Sequence, residues 1–259
     1  MRIALGIEYD GSRFSGWQRQ THAVGVQQVL EEALSSVADH PVKVVCAGRT
    51  DAGVHATAQV VHFDTEAERS PRAWVLGATC KLPPEVCVTW AQPVTEAFHA
   101  RFSATGRRYR YVILNRPVRP ALLHGRVCWE YGPLDDTRMA AAAVCLRGDH
   151  DFSSFRAQGC QARHPRREIY SLDIWRQGEF IYLDVAANAF LHHMVRNIAG
   201  TLMAVGRGER PAEWVSEVLA ARDRSVAGIT ASATGLYLVQ VQYPERFGVP
   251  QAARLPCVG

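Results

Sequence analysis

The chain has no C-x-x-C pair, no glycine-rich phosphate loop of either common type, and no apolar stretch long enough to cross a bilayer. Each absence excludes something. Seven cysteines (Cys46, Cys80, Cys87, Cys128, Cys145, Cys160, Cys257) are scattered and odd in number. That argues against a disulfide framework or a zinc site, and for reduced thiols in a cytoplasmic protein. The longest uninterrupted apolar run, Met139 to Leu146, falls far short of the ~20 residues of a helical span. The N-terminus enters a strand-like segment carrying Glu8 and Asp10 directly, which a signal peptide does not do. Without a phosphate loop, neither a nucleoside triphosphate nor a dinucleotide is indicated, and no cofactor is expected. Low-complexity segments and short-period repeats are also missing. A net charge of +4 is mild and does not by itself establish a polyanionic partner, so the placement of the arginines matters more.

What is present is ordinary soluble material: 259 residues, 47% hydrophobic and 21% charged, enough for one large domain or two compact ones. Residues 2–9 alternate, with Ile3, Leu5, Ile7 and Tyr9 on one side of a strand. A polar loop, Ser12 to Gln20, then sets Phe14 and Trp17 among Arg13 and Arg19. It is either a stacking surface for nucleic acid or a cap over the sheet edge. Helical spacing of apolar residues predicts a helix over 26–38. Ser70-Pro71 is an N-cap followed by an N1 proline, and predicts a helix to about Cys80. A strand over 86–91 completes a β-α-β-β-α-β order.

Between the predicted strands Val42–Ala47 and Thr57–Asp64 lies G-R-T-D-A-G-V-H-A, Gly48 to Ala56. Its one carboxylate, Asp51, stands two residues from Arg49, a cation able to keep it ionised as a nucleophile or base requires. The alternative is an Asx-type turn in which Asp51 caps its own backbone. A second segment, F-H-A-R-F-S-A-T-G-R-R-Y-R-Y from Phe98 to Tyr111, carries Arg101, Arg107, Arg108 and Arg110. On a strand Arg107, Tyr109 and Tyr111 share one side, and Arg108 and Arg110 the other. Tyrosine flanked by cations suits base stacking with phosphate contact. A charged, solvated edge strand would show the same residues.

Farther on, a helix is predicted over Leu134–Leu146, then a loop D-H-D-F-S-S-F-R-A. Strands follow over 167–176 and 179–186, and an apolar helix over Asn188–Gly200 carries His192, His193 and Arg196. A helix from Pro211 to Ala221 and a strand Leu236–Tyr243 end the second half. Adjacent histidines on a helix point about 100° apart and make no zinc pair, and His55 and His62 lie on opposite faces of a strand, so no metal is expected. His192 and His193 read as core or RNA-facing, with His193 counted among the substrate contacts. Arg196, in apolar surroundings, either meets an anion or packs its stem and extends its head to water.

R-T-D-A-G-V-H-A, R-x-Y-x-Y and H-H-M-V-R-N together resemble the signatures of the tRNA pseudouridine synthase A family. The resemblance implies an α+β fold: two similar β-α-β-β-α-β-type halves forming a mostly antiparallel mixed sheet flanked by helices, with a basic RNA-binding cleft. The halves are expected at 1–97 and 134–244, joined by linking strands at 98–133 and followed by a tail at 245–259. It also implies an isomerase that converts uridines of the tRNA anticodon stem-loop (positions 38–40) to pseudouridine, in the cytoplasm, as a homodimer, without cofactor. Asp51 corresponds to the family's catalytic residue, Tyr109 to its base-contacting tyrosine, and Arg196 to the cation paired with the aspartate. Arg49, Arg101, Arg107 and His193 are expected at the substrate. Two rival classes are a nucleoside or glycoside hydrolase, which ordinarily needs a second carboxylate, and a non-catalytic RNA-binding protein.

Overall fold

The computed structural model describes residues 1–258, which fall into two compact units. One comprises Met1–Thr105 and Tyr237–Pro256, and the other Gly106–Leu236 with a short return from Cys257. In chain order the elements are β1 (Arg2–Tyr9), α1 (Val26–Ala38), β2 (Val45–Cys46), β3 (His55–Asp64), α2 (Pro71–Thr79) and β4 (Val86–Val94). There follow β5 (Gly106–Asn115), β6 (Cys128–Glu130), α3 (Asp136–Ala143), β7 (Gly148–Asp151), β8 (Arg166–Gln177), β9 (Phe180–Ala187), α4 (Met194–Gly206), α5 (Trp214–Ala221) and β10 (Leu236–Gln242). The fold is α+β, its sheet mostly antiparallel but mixed, with helices flanking it.

The first unit follows the expected β-α-β-β-α-β order. β1 lies antiparallel between β3 and β4, and β10 runs parallel to β3, with Tyr237 opposite His55. Ile3, Leu5 and Ile7 are buried as the alternation requires, and Ala4 is buried too, so both faces of β1 are covered. α1 turns Leu30, Ala33 and Leu34 inward and packs on α2. Ser70 caps α2 by accepting the Ala73 N–H, with Pro71 in the first turn. The predicted strand at Val42–Ala47 shrinks to two residues. The N–H of Val42 is taken by Ser35 Oγ and that of Val44 by buried Glu31, so α1 claims the backbone donors a longer strand would use.

In the second unit β9 lies antiparallel between β5 and β8. β6 pairs in parallel with the end of β5, and β7 closes the far edge against β8. Neither β6 nor β7 is visible in the sequence: both are short, and Gly148–Asp151, in a stretch read partly as loop, is almost wholly polar. The helix expected over Leu134–Leu146 is regular only from Asp136, where Asp135 caps the Arg138 N–H, and tightens into a 3₁₀ turn at Val144–Leu146. The largest correction concerns Asn188–Gly200. Its helix begins at Met194, because His193 sits in the left-handed region (φ 60°). His192 and His193 are therefore not on a helix, and their rings lie 4.0 Å apart.

Arg108 and Arg110 do not decorate a solvated edge. Both end on Asp184 of β9, which is 1% exposed: Arg110 grips it with Nε and Nη2 (2.7 and 2.9 Å), and Arg108 adds Nη2. The Arg110 guanidinium also lies over the rings of Trp175 and Tyr182, 5.1 Å from each centroid. All seven cysteines are unpaired, and among the described residues no helix is long and apolar enough to cross a membrane.

Two stability predictions concern buried titratable groups, Asp184 and His62. Asp184→Ala leaves two guanidiniums without their anion and should cost about 3–5 kcal/mol, read as a lower urea midpoint. His62 accepts the Ala100 N–H at Nδ1, and burial, helped by Arg2 and His99, pushes its pKa down to about 4. Its unfolded value is near 6.5, so the unfolded chain binds the proton more readily. The contribution is complete above pH 6.5 and is lost as pH falls towards 4, by up to about 3 kcal/mol. His62→Asn, which still offers an acceptor, should flatten that part of the stability–pH curve.

Candidate active site

The loop between β2 and β3 is fixed at its root, middle and end. Ala47 N–H bonds the Val60 carbonyl, extending the β2–β3 pairing by one step. Gln59, with no exposure, then holds Gly48: Nε2 donates to its carbonyl (2.6 Å) and Oε1 accepts its N–H (3.4 Å). Thr50 is bonded through Oγ1 to the Tyr9 hydroxyl (2.8 Å), and its carbonyl accepts the Trp17 N–H (2.9 Å). The chain at 16–17 can press so close because residue 16 is glycine at φ 89°, where a Cβ would lie 2.8 Å from the Thr50 carbonyl oxygen. Val54 N–H closes the turn onto the backbone carbonyl of Asp51.

Asp51 is thereby held half-buried between an exposed Arg49 and the start of β3. The two readings of Trp17 resolve in favour of packing: Trp17 is 1% exposed, its ring 5.9 Å from that of Tyr9, and Phe14 is buried with it. Burial pushes the Cys46 thiol up to about 12, against the opposing pull of Arg49 and Arg101. Both guanidiniums thus act at the root of the Asp51 loop, although Arg101 is far away in sequence.

In the second unit Tyr109 and Tyr111 share a face of β5, but their environments differ. Tyr111 is fully buried and donates its hydroxyl to the Ser232 carbonyl (2.7 Å). Tyr109 meets Phe190 edge-on, with centroids 5.0 Å apart at 86°. Arg107 donates Nη1 to the Asn188 carbonyl (3.0 Å). The segment 188–193 therefore touches both Arg107 and Tyr109, carries His193, and leads directly into Arg196. Four of the expected residues are gathered around this one piece of chain.

Arg196 is the one residue of α4 that is not buried. Its backbone carbonyl accepts the Ala231 N–H (3.1 Å), and its Nε donates to the Ala231 carbonyl (2.9 Å). These two hydrogen bonds tie Arg196 to one residue, and the one from Nε sets the direction of the side chain. The strap at 228–232 lies directly on the helix backbone: a Cβ on Gly200 would sit 1.8 Å from the Ile229 carbonyl oxygen, and one on Gly228 would sit 2.7 Å from Thr201 Cα. Beneath it, Asn197, with no exposure, joins three pieces of chain. Its Nδ2 donates to the Phe155 carbonyl, and its Oδ1 accepts from Thr230 Oγ1 and Arg224 Nη2. Sequence reasoning missed Phe190, Asn197 and this strap. A buried amide in an apolar helix, with a Gly-x-Thr-Ala stretch far downstream, is the faint signal they leave.

The family model described as tRNA pseudouridine synthase matches residues 6–103 and 142–244. The chain is 60% identical over 254 residues to the tRNA pseudouridine synthase A of Nitrosococcus oceani, covering 98% of each chain. It is 59% identical to that of Aeromonas hydrophila, covering 97% of this chain and 93% of the relative. With the tRNA pseudouridine synthase A of Pectobacterium atrosepticum it shares 57% identity over 99% of this chain and 90% of the relative. Among solved structures, an H/ACA ribonucleoprotein bound to a substrate RNA containing 2′-deoxyuridine is similar over 78% of this chain and 44% of that one. Its 12% identity and TM-score of 0.37 carry no argument. The sequence matches run almost end to end, and the chain belongs to the tRNA pseudouridine synthase A family, whose members are isomerases.

Proposed function

We propose that this isomerase acts on uridines of the tRNA anticodon stem-loop, with Asp51 as the carboxylate that meets the ribose. The observation that supports this most is the bracing of the Asp51 loop by Gln59, Tyr9 and Trp17, since a group that must meet one sugar atom needs a fixed backbone. The reaction breaks the N1–C1′ bond, turns the base, and joins C5 to C1′. A proton leaves C5 and N1 gains one, so no cofactor or co-reactant is consumed.

The target uridine must leave its stack to be reached. Asp51 either attacks C1′ or removes a proton from the sugar. Tyr109 holds the detached base by its ring, and Arg196 keeps the carboxylate ionised, as the family resemblance implies. Arg49, Arg101 and Arg107 hold phosphates along a basic cleft, and His193 contacts the nucleotide. Water must be kept out, because water capturing the sugar would turn the isomerase into a hydrolase. The protein works as a homodimer in the cytoplasm.

The test is tritium release from tRNA labelled at C5 of uridine. Asp51→Ala should lose about a thousandfold or more in rate while binding tRNA within about threefold of wild type. Tyr109→Leu and Arg196→Ala should likewise lower the single-turnover rate more than the affinity. Liberation of free uracil would point to a hydrolase, and an unaltered rate in Asp51→Ala would remove the assignment. Because several arginines face phosphates in this reading, log Kd should rise with log salt at a slope of about 2 or more. A flat response measured by filter binding would exclude the basic cleft.

A further inference from the structure

Phe102 is 77% exposed, yet the backbone beneath it is tied at several points. His99 N–H donates to Ser103 Oγ (3.0 Å) and the His99 carbonyl accepts the Ser103 N–H (2.9 Å), closing the turn on itself. The two faces of the Ala100 peptide are pinned from below, its N–H by His62 Nδ1 (3.1 Å) and its carbonyl by the Tyr243 hydroxyl (2.7 Å). Arg2 Nη1 holds the carbonyls of Glu96 and Phe98. A mobile surface loop would need none of this.

On that turn the rings form a pile. His62 lies 4.8 Å from His99, and His99 stacks on Phe102 with centroids 4.4 Å apart at 30°. His99 Nδ1 accepts the N–H groups of both Arg101 and Phe102 (3.2 and 3.1 Å), which sets the ring's orientation and leaves Nδ1 without a proton. Burial, together with Arg2 and Arg101, keeps the His99 pKa below its usual value. The Arg101 guanidinium stands 5.5 Å from the centroid of Phe102. The result is an aromatic stack backed by His99, with a guanidinium over its last ring, which remains 77% exposed.

We propose that Phe102 is a stacking platform for an unpaired base of the tRNA substrate, a contact separate from the uridine being isomerised. An exposed ring with a guanidinium over it matches a nucleobase and its phosphate: the flexible arginine swings aside to the phosphate as the base takes its place on the ring. A protein partner would need a contiguous apolar patch. Phe102 instead has exposed Arg101 and Thr105 as near neighbours, and no other large apolar side chain between Leu76 and Val118 is exposed. Because the ring is already oriented by His99, little side-chain freedom is lost when a base lands on it. The proposal rests on the reading of tRNA as substrate.

The experiment compares wild type, Phe102→Ala and Phe102→Trp in filter binding to tRNA across a salt series, with sedimentation to follow the oligomeric state. Phe102→Ala should weaken binding by about 5- to 100-fold. Its salt slope should stay unchanged because no phosphate contact is lost. Phe102→Trp should bind within about threefold of wild type, since a larger ring stacks at least as well. Phe102→Ala binding within twofold of wild type would overturn the proposal. So would a loss of affinity that accompanies a change of oligomeric state, which would assign the ring to a second copy of the chain. If wild type itself fails to bind or modify tRNA, the substrate reading falls, and the platform with it. A wild type that modifies tRNA beside a fully binding Phe102→Ala condemns the platform alone.

Discussion

A carboxylate on a loop keeps one position only if the backbone beneath it is held, and in this chain one buried amide does much of the holding. Gln59 has no exposure and uses both ends of its side chain on the backbone of Gly48. Left unpaired, that amide would incur a desolvation cost of about 1–3 kcal/mol, so the loop and the strand hold each other in one arrangement. Tyr9 and Trp17 then repeat the logic two residues along at Thr50. Asp51 inherits a fixed backbone position from hydrogen bonds at Gly48 and Thr50 in which no charged side chain takes part.

The second unit solves the opposite problem, how to bury charge safely. Asp184 is satisfied by three guanidinium nitrogens, and one of those guanidiniums is framed by two aromatic rings. Such a cluster adds less net stability than its contacts suggest, but it tolerates only one register of β5 against β9. That register puts Tyr109 opposite Val185, on the face of β5 where the ring meets Phe190. Asn197 does for α4 what Asp184 does for the sheet: by gathering Phe155, Thr230 and Arg224, it settles the strap that steers Arg196.

Much of this was legible in the sequence. Alternation gave β1, helical spacing gave α1 with its approximate bounds, and Ser70-Pro71 announced α2, because each of these signals is local. The failures share a cause. Val42 and Val44 look like strand residues, but side chains of α1 take their backbone donors. Asn188–Val195 has helical composition, but the chain must pass through a left-handed residue at His193 before α4 can start. β6 and β7 exist only because longer strands offer them an edge. For the candidate site, the three motifs single out Asp51, Tyr109 and Arg196 and leave their supports unseen. Those supports are contacts between distant segments, and single-residue patterns do not record them. Arg108 and Arg110 show the converse, since an arginine-rich strand looks like an RNA grip until an aspartate some seventy residues later takes two of its cations.

The parallel partner of β3 arrives late. Tyr237 and Leu238, which pair with His55 and Ala56 at the very exit of the Asp51 loop, are made only after nearly all of the second unit. At about 5–20 residues per second, the nascent chain waits on the order of ten seconds with that end of β3 uncovered. The first unit therefore cannot finish folding on the ribosome ahead of the second. Translation order leaves the end of β3 beside the Asp51 loop among the last parts to be covered, although the loop's own braces at Gln59, Tyr9 and Trp17 are made early, so a truncated product from an interrupted message would carry a held loop on an unfinished sheet.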